Sequence, residues 1–142
     1  MNKAVQPLSA MLACGLVLTS PAALALRDYG TWSGEATSTE AHTIGVNTVD
    51  TVRQVLVSAH VAADEMPGKP CIVTVRTFDQ RNRIYGPVIA RVLAGAGHSA
   101  NQEIRFPQGL DQSSQLDPAL RITVDPGAAS GCHWVVSAHG DR

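Results

Sequence analysis

Apolar side chains recur at every second position in several short segments of this 142-residue chain. Cys71–Phe78 (Cys-Ile-Val-Thr-Val-Arg-Thr-Phe) is the clearest segment, and it is rich in β-branched residues, whose restricted χ1 favours strands. Val55–Ala63 shows the same alternation, with an amphipathic helix as the alternative. A period of two places successive side chains on opposite faces of a sheet. The pattern therefore predicts an all-β fold.

Turn-forming residues separate the predicted strands, as in Pro67–Pro70 (Pro-Gly-Lys-Pro) and Asp125–Gly127 (Asp-Pro-Gly). The other predicted strands are Tyr29–Thr37, His42–Asn47, Arg83–Tyr85 continued by Val88–Leu93, Glu103–Phe106, Ala119–Val124 and Cys132–Ala138. Seven or eight short strands with frequent turns are typical of a sandwich or small barrel. We predict an antiparallel, immunoglobulin-like β-sandwich of seven or eight strands.

The first 25 residues have the pattern of a secretory signal peptide. The apolar stretch Leu8–Leu18 is shorter than the roughly 20 residues that span a bilayer, and the small-residue site Ala23–Ala25 follows it. We expect residues 26–142 to form one mature domain in the periplasm or outside the cell. The alternatives are a permanent membrane anchor and a lipoprotein that is cleaved before Cys14.

Removal of the signal peptide leaves two cysteines, Cys71 and Cys132. Disulfides persist in exported proteins, and a bridge here would close a loop of about 60 residues, which corresponds to about 4 kcal/mol. A reactive Cys132 with His133 as its base is the alternative. Because neighbouring residues on a strand point to opposite faces, His133 would point away from that sulfur. We therefore predict a structural disulfide between Cys71 and Cys132.

Composition excludes several function classes. The hydrophobic fraction of 44% is enough for a packed core, so the chain as a whole is not disordered. A net charge of -1 argues against a dedicated nucleic-acid binder, which needs a basic face. A length of 142 residues leaves no room for a separate cofactor domain.

Residues suited to catalysis are sparse. The sequence has no Gly-x-Ser-x-Gly, Walker or His-Glu-x-x-His motif. His133 and His139 lie on one predicted strand about 20 Å apart, so they cannot bind the same ion. A metal site formed by His98 and His139 is the alternative. We predict a protein that is not an enzyme and that has no metal or cofactor.

The predicted binding residues are arginines and aromatic residues near predicted turns and strand ends. Arg81 and Arg83 flank a hairpin tip, and the arginine fork matches carboxylate, sulfate or phosphate. The favoured interpretation of the arginines is that they keep exposed strands soluble, and recognition of an anion is the alternative. Aromatic rings near the mature N-terminus are suited to stacking on sugars. The predicted binding set is Tyr29, Trp32, Arg81, Arg83, Tyr85 and His98.

One segment resembles a known family. Trp32–Ala36 (Trp-Ser-Gly-Glu-Ala) is similar to the Trp-(Ser/Thr)-Gly-(Asp/Glu)-Ala opening of pertussis-like AB5 toxin B subunits. The resemblance implies a glycan-binding subunit of a ring-shaped oligomer. Those subunits usually have more cysteines and a central helix, which this sequence lacks.

Taken together, these features favour an exported binding protein. We expect it to present an edge strand or a set of loops to a protein partner, as an inhibitor, an immunity protein or an assembly factor does. We expect neither nucleic acid as a partner nor a membrane span in the mature form. The alternatives are a secreted glycan-binding or AB5-type subunit and a small secreted enzyme or metal-binding protein.

Overall fold

The computed structural model describes residues 26–46 and 50–141, which form eight strands. The strands are β1 Arg27–Ala36, β2 Glu40–Gly45, β3 Thr51–His60, β4 Cys71–Asp79, β5 Ile84–Ala94, β6 Ser99–Arg105, β7 Pro118–Asp125 and β8 Cys132–Asp141. The predicted signal peptide, including Cys14, lies outside the described residues. Within the described ranges there is no helix that could span a membrane.

The eight strands form two antiparallel sheets of four strands each. Sheet A has the order β1-β8-β3-β6, and sheet B has the order β2-β7-β4-β5. This arrangement confirms the predicted antiparallel sandwich. The comparison with immunoglobulin domains holds for the two stacked sheets and for the disulfide that joins them. The strand order is instead that of an eight-stranded jelly roll, in which the chain crosses repeatedly from one sheet to the other.

The alternating side chains build the core between the sheets. On β4, Val73 and Val75 are fully buried, whereas Thr74 between them lies on the outer face. On β3, Val55 and Val57 are buried in the same way, which confirms the strand over the alternative helix. The core is therefore a layer of small β-branched side chains contributed by both sheets.

The predicted disulfide joins the two layers. Cys71 on β4 of sheet B bonds to Cys132 on β8 of sheet A, and both residues are fully buried. The side chain of His133 is exposed on the opposite face of β8, as the strand parity predicts.

Several strands extend beyond their predicted bounds, and β3 begins at Thr51, four residues earlier than predicted. β6 begins at Ser99, four residues earlier than predicted, and β8 ends at Asp141, three residues later. The extensions of β6 and β8 are mostly polar, so hydrophobic alternation does not reveal them. They form because β3 pairs with β6 over Gln54–His60 on one side and with β8 over Thr51–His60 on the other.

Candidate binding site at the open edge of sheet A

The six predicted binding residues lie in separate parts of the molecule. Tyr29 and Trp32 are on β1 of sheet A, whereas Arg81 and Arg83 lie in the exposed turn between β4 and β5. Tyr85 is exposed near the start of β5, in sheet B. The structure therefore does not bring the six residues into one site.

Tyr29 anchors β1 to its neighbours. Its hydroxyl donates to the carbonyl oxygen of Asp141 at 2.8 Å and lies 3.2 Å from the carbonyl oxygen of Thr51. Burial raises the pKa of this hydroxyl, and the nearby carboxylates of Asp50 and Asp141 raise it further. The ring also packs against the core, so Tyr29 ties the beginning of β1 to β3 and β8.

His98 and His139 lie at opposite ends of sheet A, so the alternative metal site between them does not form. His98 precedes Ser99, which pairs with His60 of β3, whereas His139 pairs with Gln54 at the other end of that strand. Six strand residues separate these positions by about 20 Å. No cluster of three or more His, Cys, Asp or Glu that could hold a metal occurs in the part of the chain that the structure describes.

β1 is an edge strand whose open side lacks the usual protection against pairing. Natural proteins protect edge strands with prolines, charges, bulges or short length. Residues 31–34 of β1 contain neither a proline nor a charged residue, and the register shift of this strand lies before them, at Tyr29 between Asp28 and Gly30. The backbone N–H of Gly30 donates to Asp28 Oδ1 at 2.9 Å, so the unprotected stretch begins after it. The free backbone groups of this stretch are therefore available to another strand.

The other three edges are each protected. β2 has only six residues. β5 contains Pro87 and two register shifts, and Gln102 of β6 accepts a hydrogen bond from the backbone N–H of Arg91. On β6, Glu103 forms an ion pair with Arg105. Edge strand β1 is thus the strand most open to a partner.

An aromatic stack closes the side of the sandwich beside β1. Trp32 of β1 lies 5.0 Å from His42 of β2, whose ring lies 5.1 Å from Trp134 of β8, measured between ring centroids. The indole N–H of Trp134 donates to Glu40 Oε1 at 2.8 Å, and His42 Nε2 lies 3.3 Å from the same oxygen. Trp32 is the outermost ring and is 42% exposed. A half-exposed tryptophan whose inner side packs on other rings is typical of a residue that anchors a protein interface.

Four polar side chains form a row across the outer face of sheet A at the end of β1. Glu35, His133, His60 and Ser99 follow one another across β1, β8, β3 and β6. His60 Nδ1 lies 2.8 Å from Ser99 Oγ, the two imidazoles stack at 6.5 Å, and His133 Nε2 is 3.9 Å from Glu35 Oε1. The row borders a shallow groove of about 530 Å³, whose lining also includes Ser33, Ser58, Asn101 and Val135.

The hydroxyl of Ser99 and the imidazole of His60 are in contact in the way that a nucleophile contacts its general base. Such a base normally needs a third group on its other nitrogen. Within residues 26–46 and 50–141, no carboxylate lies within ion-pair distance of His60. As it stands, the row is a hydrogen-bonding surface that continues from the edge of β1.

Sequence reasoning predicted a binding role for Trp32, which stays a prediction, and it did not predict the partners of that ring or the polar row. His42, Trp134, His60 and His133 come together only through the strand order. The local pattern of each segment carries no signal of these pairings.

No known protein family and no curated protein matches this chain. Three solved structures illustrate its similarity to known folds. A disulfide-linked pilus protein of Bacillus endospore appendages is 13% identical, with a TM-score of 0.41, over 82% of this chain and 91% of that one. A carbohydrate-binding module from a family 9 glycoside hydrolase of Ruminococcus flavefaciens is 12% identical, with a TM-score of 0.37, over 79% and 98%. The coat protein of Tobacco streak virus is 12% identical, with a TM-score of 0.33, over 82% and 83%. None of these similarities bears on what this chain binds.

Proposed function

We propose that this protein is an exported, non-enzymatic binding protein that accepts an extended segment of a protein partner along edge strand β1. The observation that carries the proposal is the unprotected edge over residues 31–34 beside the half-exposed ring of Trp32. An internal disulfide is the pattern of a protein that works in an oxidising compartment, which supports export.

If a partner segment added to sheet A as a new strand beside β1, the backbone edge and the side chains of β1 would have different roles. The backbone N–H and C=O groups of the open edge supply affinity for an extended chain, and alternate side chains of that chain supply specificity. Trp32 offers an apolar anchor on one side of the added strand. Ser33 offers a polar contact on the other side of the added strand, as does Glu35, the member of the polar row that lies on β1. Because β1 is held by β8 and Tyr29, the edge is already formed before the partner binds.

Site-specific photo-crosslinking tests this proposal. A benzoylphenylalanine at Ser33, exposed on β1, is compared with one at Leu93, exposed on β5. In cells that export the protein, we expect a discrete heavier adduct from position 33 and none from position 93. We expect Trp32→Ala in the same chain to reduce the yield of the adduct at least tenfold, as loss of an anchor of about 2 kcal/mol would.

The mass of the adduct separates the outcomes. An adduct equal to the chain plus a different protein supports the proposal. An adduct of twice the chain mass identifies self-association and overturns it, as does equal labelling from positions 33 and 93.

A further inference from the structure

The outer face of sheet B holds two arginines that lack a counterion. Arg76 of β4 and Arg121 of β7 are direct register partners on neighbouring strands. Among the described residues, no acidic side chain lies within 4 Å of either guanidinium. Like charges directly opposite each other destabilise a sheet, so an anion bound between them would relieve a repulsion that the fold leaves in place.

Neutral contacts hold both guanidinium groups in place. Arg121 Nη1 donates to Thr43 Oγ1 at 2.8 Å, and its guanidinium lies 5.7 Å from the centre of the Phe78 ring. The guanidinium of Arg76 lies 5.7 Å from the centre of the Tyr85 ring, and the two aromatic rings pack at 4.9 Å. These cation–π contacts position the charges without neutralising them.

Most of the hydrogen-bonding capacity of the pair is unused. The guanidinium of Arg76 donates no hydrogen bond to any described residue, and its buried Nε has no partner. A guanidinium has five N–H donors in a planar fork that matches the two oxygens of a carboxylate or sulfate. The outer face of sheet B thus carries two guanidinium groups, and among the described residues the guanidinium of Arg76 has no hydrogen-bond acceptor.

The two arginines border a shallow depression of about 380 Å³ that is rich in hydroxyl groups. Its lining residues are Ala41, Thr74, Arg76, Tyr85, Arg121 and Thr123. Threonine hydroxyls both donate and accept, so they suit the hydroxyl groups of a sugar ring. A third arginine, Arg91 of β5, is the register partner of Thr74 on the same face and forms no ion pair with a described residue, so the depression lies within a small basic patch.

We infer that this depression is a binding site for an anionic saccharide, whose carboxylate or sulfate lies between Arg76 and Arg121 while the threonines contact the ring hydroxyls. The site lies on sheet B, whereas edge strand β1 belongs to sheet A. The inference therefore stands or falls independently of the proposed protein partner.

Titration calorimetry with matched ligands tests the inference. The probes are oligogalacturonate, its neutral methyl ester, and a sulfated and an unsulfated dextran oligosaccharide. We expect at least one anionic probe to bind at least tenfold more tightly than its neutral counterpart, and the pair that shows the difference identifies the anion.

Four variants connect the binding to the arginine pair. We expect Arg76→Gln and Arg121→Gln each to weaken binding at least tenfold. Arg76→Lys keeps the charge and should still weaken binding severalfold, because an ammonium lacks the fork. Arg27→Gln removes one positive charge from the exposed start of β1 and should leave the affinity unchanged. Thermal melting confirms that each variant is folded.

Several results would overturn the inference. These are the absence of binding to both anionic probes, equal binding of a neutral probe, a loss in Arg27→Gln as large as that in Arg76→Gln, or equally tight binding of double-stranded DNA. A loss of saccharide binding in Trp32→Ala would also count against it, because that residue lies on the other sheet.

Discussion

At the scale of single residues, Asp79 shows how one carboxylate orders two loops. Asp79 lies at the end of β4 and is only 3% exposed. It accepts hydrogen bonds from the backbone N–H groups of Arg81 and Asn82 in the turn before β5, and from those of Leu116 and Asp117 in the segment before β7. Burial raises the pKa of this carboxyl, but the hydrogen bonds together lower it more, so the pKa lies below its ordinary value.

This carboxylate should make the stability depend on pH in a specific direction. Because the folded-state pKa of Asp79 is depressed, its contribution is fully present above the unfolded pKa of about 3.9 and is lost as the pH falls through the folded value. In Asp79→Asn, the amide NH2 group would face backbone N–H donors. We expect a lower melting temperature than wild type at about pH 7 and a smaller difference at about pH 3, measured by circular dichroism.

Asp64→Asn is the matched control, because Asp64 is an exposed carboxylate in the loop after β3. It should leave the melting temperature nearly unchanged at both pH values. If the difference between Asp79→Asn and wild type were the same at both pH values, the carboxylate would not be the source of the stabilisation.

At the scale of elements, two side chains hold edge strand β1 in place. The hydroxyl of Tyr29 binds the backbone near its beginning, and the ring of Trp32 packs on His42 in its middle. We expect Tyr29→Phe to remove the tether to Asp141 and to cost about 1 kcal/mol, the usual net value of a hydrogen bond. Amide hydrogen exchange in β1 should then be about fivefold faster, while exchange in β4 stays the same. Tyr85→Phe is the control, since that ring is exposed on β5. Equal acceleration in β1 and β4 would mean that Tyr29 stabilises the whole fold and not this strand.

The positions of several strands could be predicted from the sequence, but the order of the strands in the sheets could not. Alternation identified β4 and β3 because half of each strand faces a valine-rich core. It could not identify the partners, because β1 pairs with β8 from the other end of the chain, and nothing local encodes that pairing. The pairs His60–His133 and Arg76–Arg121 were missed for the same reason. The disulfide was predictable because only two cysteines remain after the predicted signal peptide, so they have a single possible partner each.

At the scale of the whole molecule, the two outer faces differ in chemistry. The outer face of sheet A carries the row of imidazoles and hydroxyls beside the open edge of β1. The outer face of sheet B carries the unpaired arginines and threonines. A two-layer sandwich keeps these faces on opposite sides, so the proposed partner on β1 and the proposed anion on sheet B would not compete for the same surface.

The disulfide couples the two layers that carry these faces. It closes a loop with a sequence separation of 61 residues, for which the loss of chain entropy in the unfolded state corresponds to about 4 kcal/mol. A domain of this size has a free energy of unfolding of about 5–15 kcal/mol, so reduction should remove a large share of it. We expect guanidinium denaturation to shift to a much lower midpoint after reduction, with a steeper slope because the reduced unfolded chain exposes more surface.

The double variant Cys71→Ala/Cys132→Ala provides the control for this measurement. Its denaturation curve should lie near that of the reduced protein and should not respond to the reductant. Coincident curves for the oxidised and reduced wild-type protein would show that packing between the valine-rich faces holds the sheets together without the bond. In that case, the preformed edge of β1 would depend on β8 and Tyr29 alone.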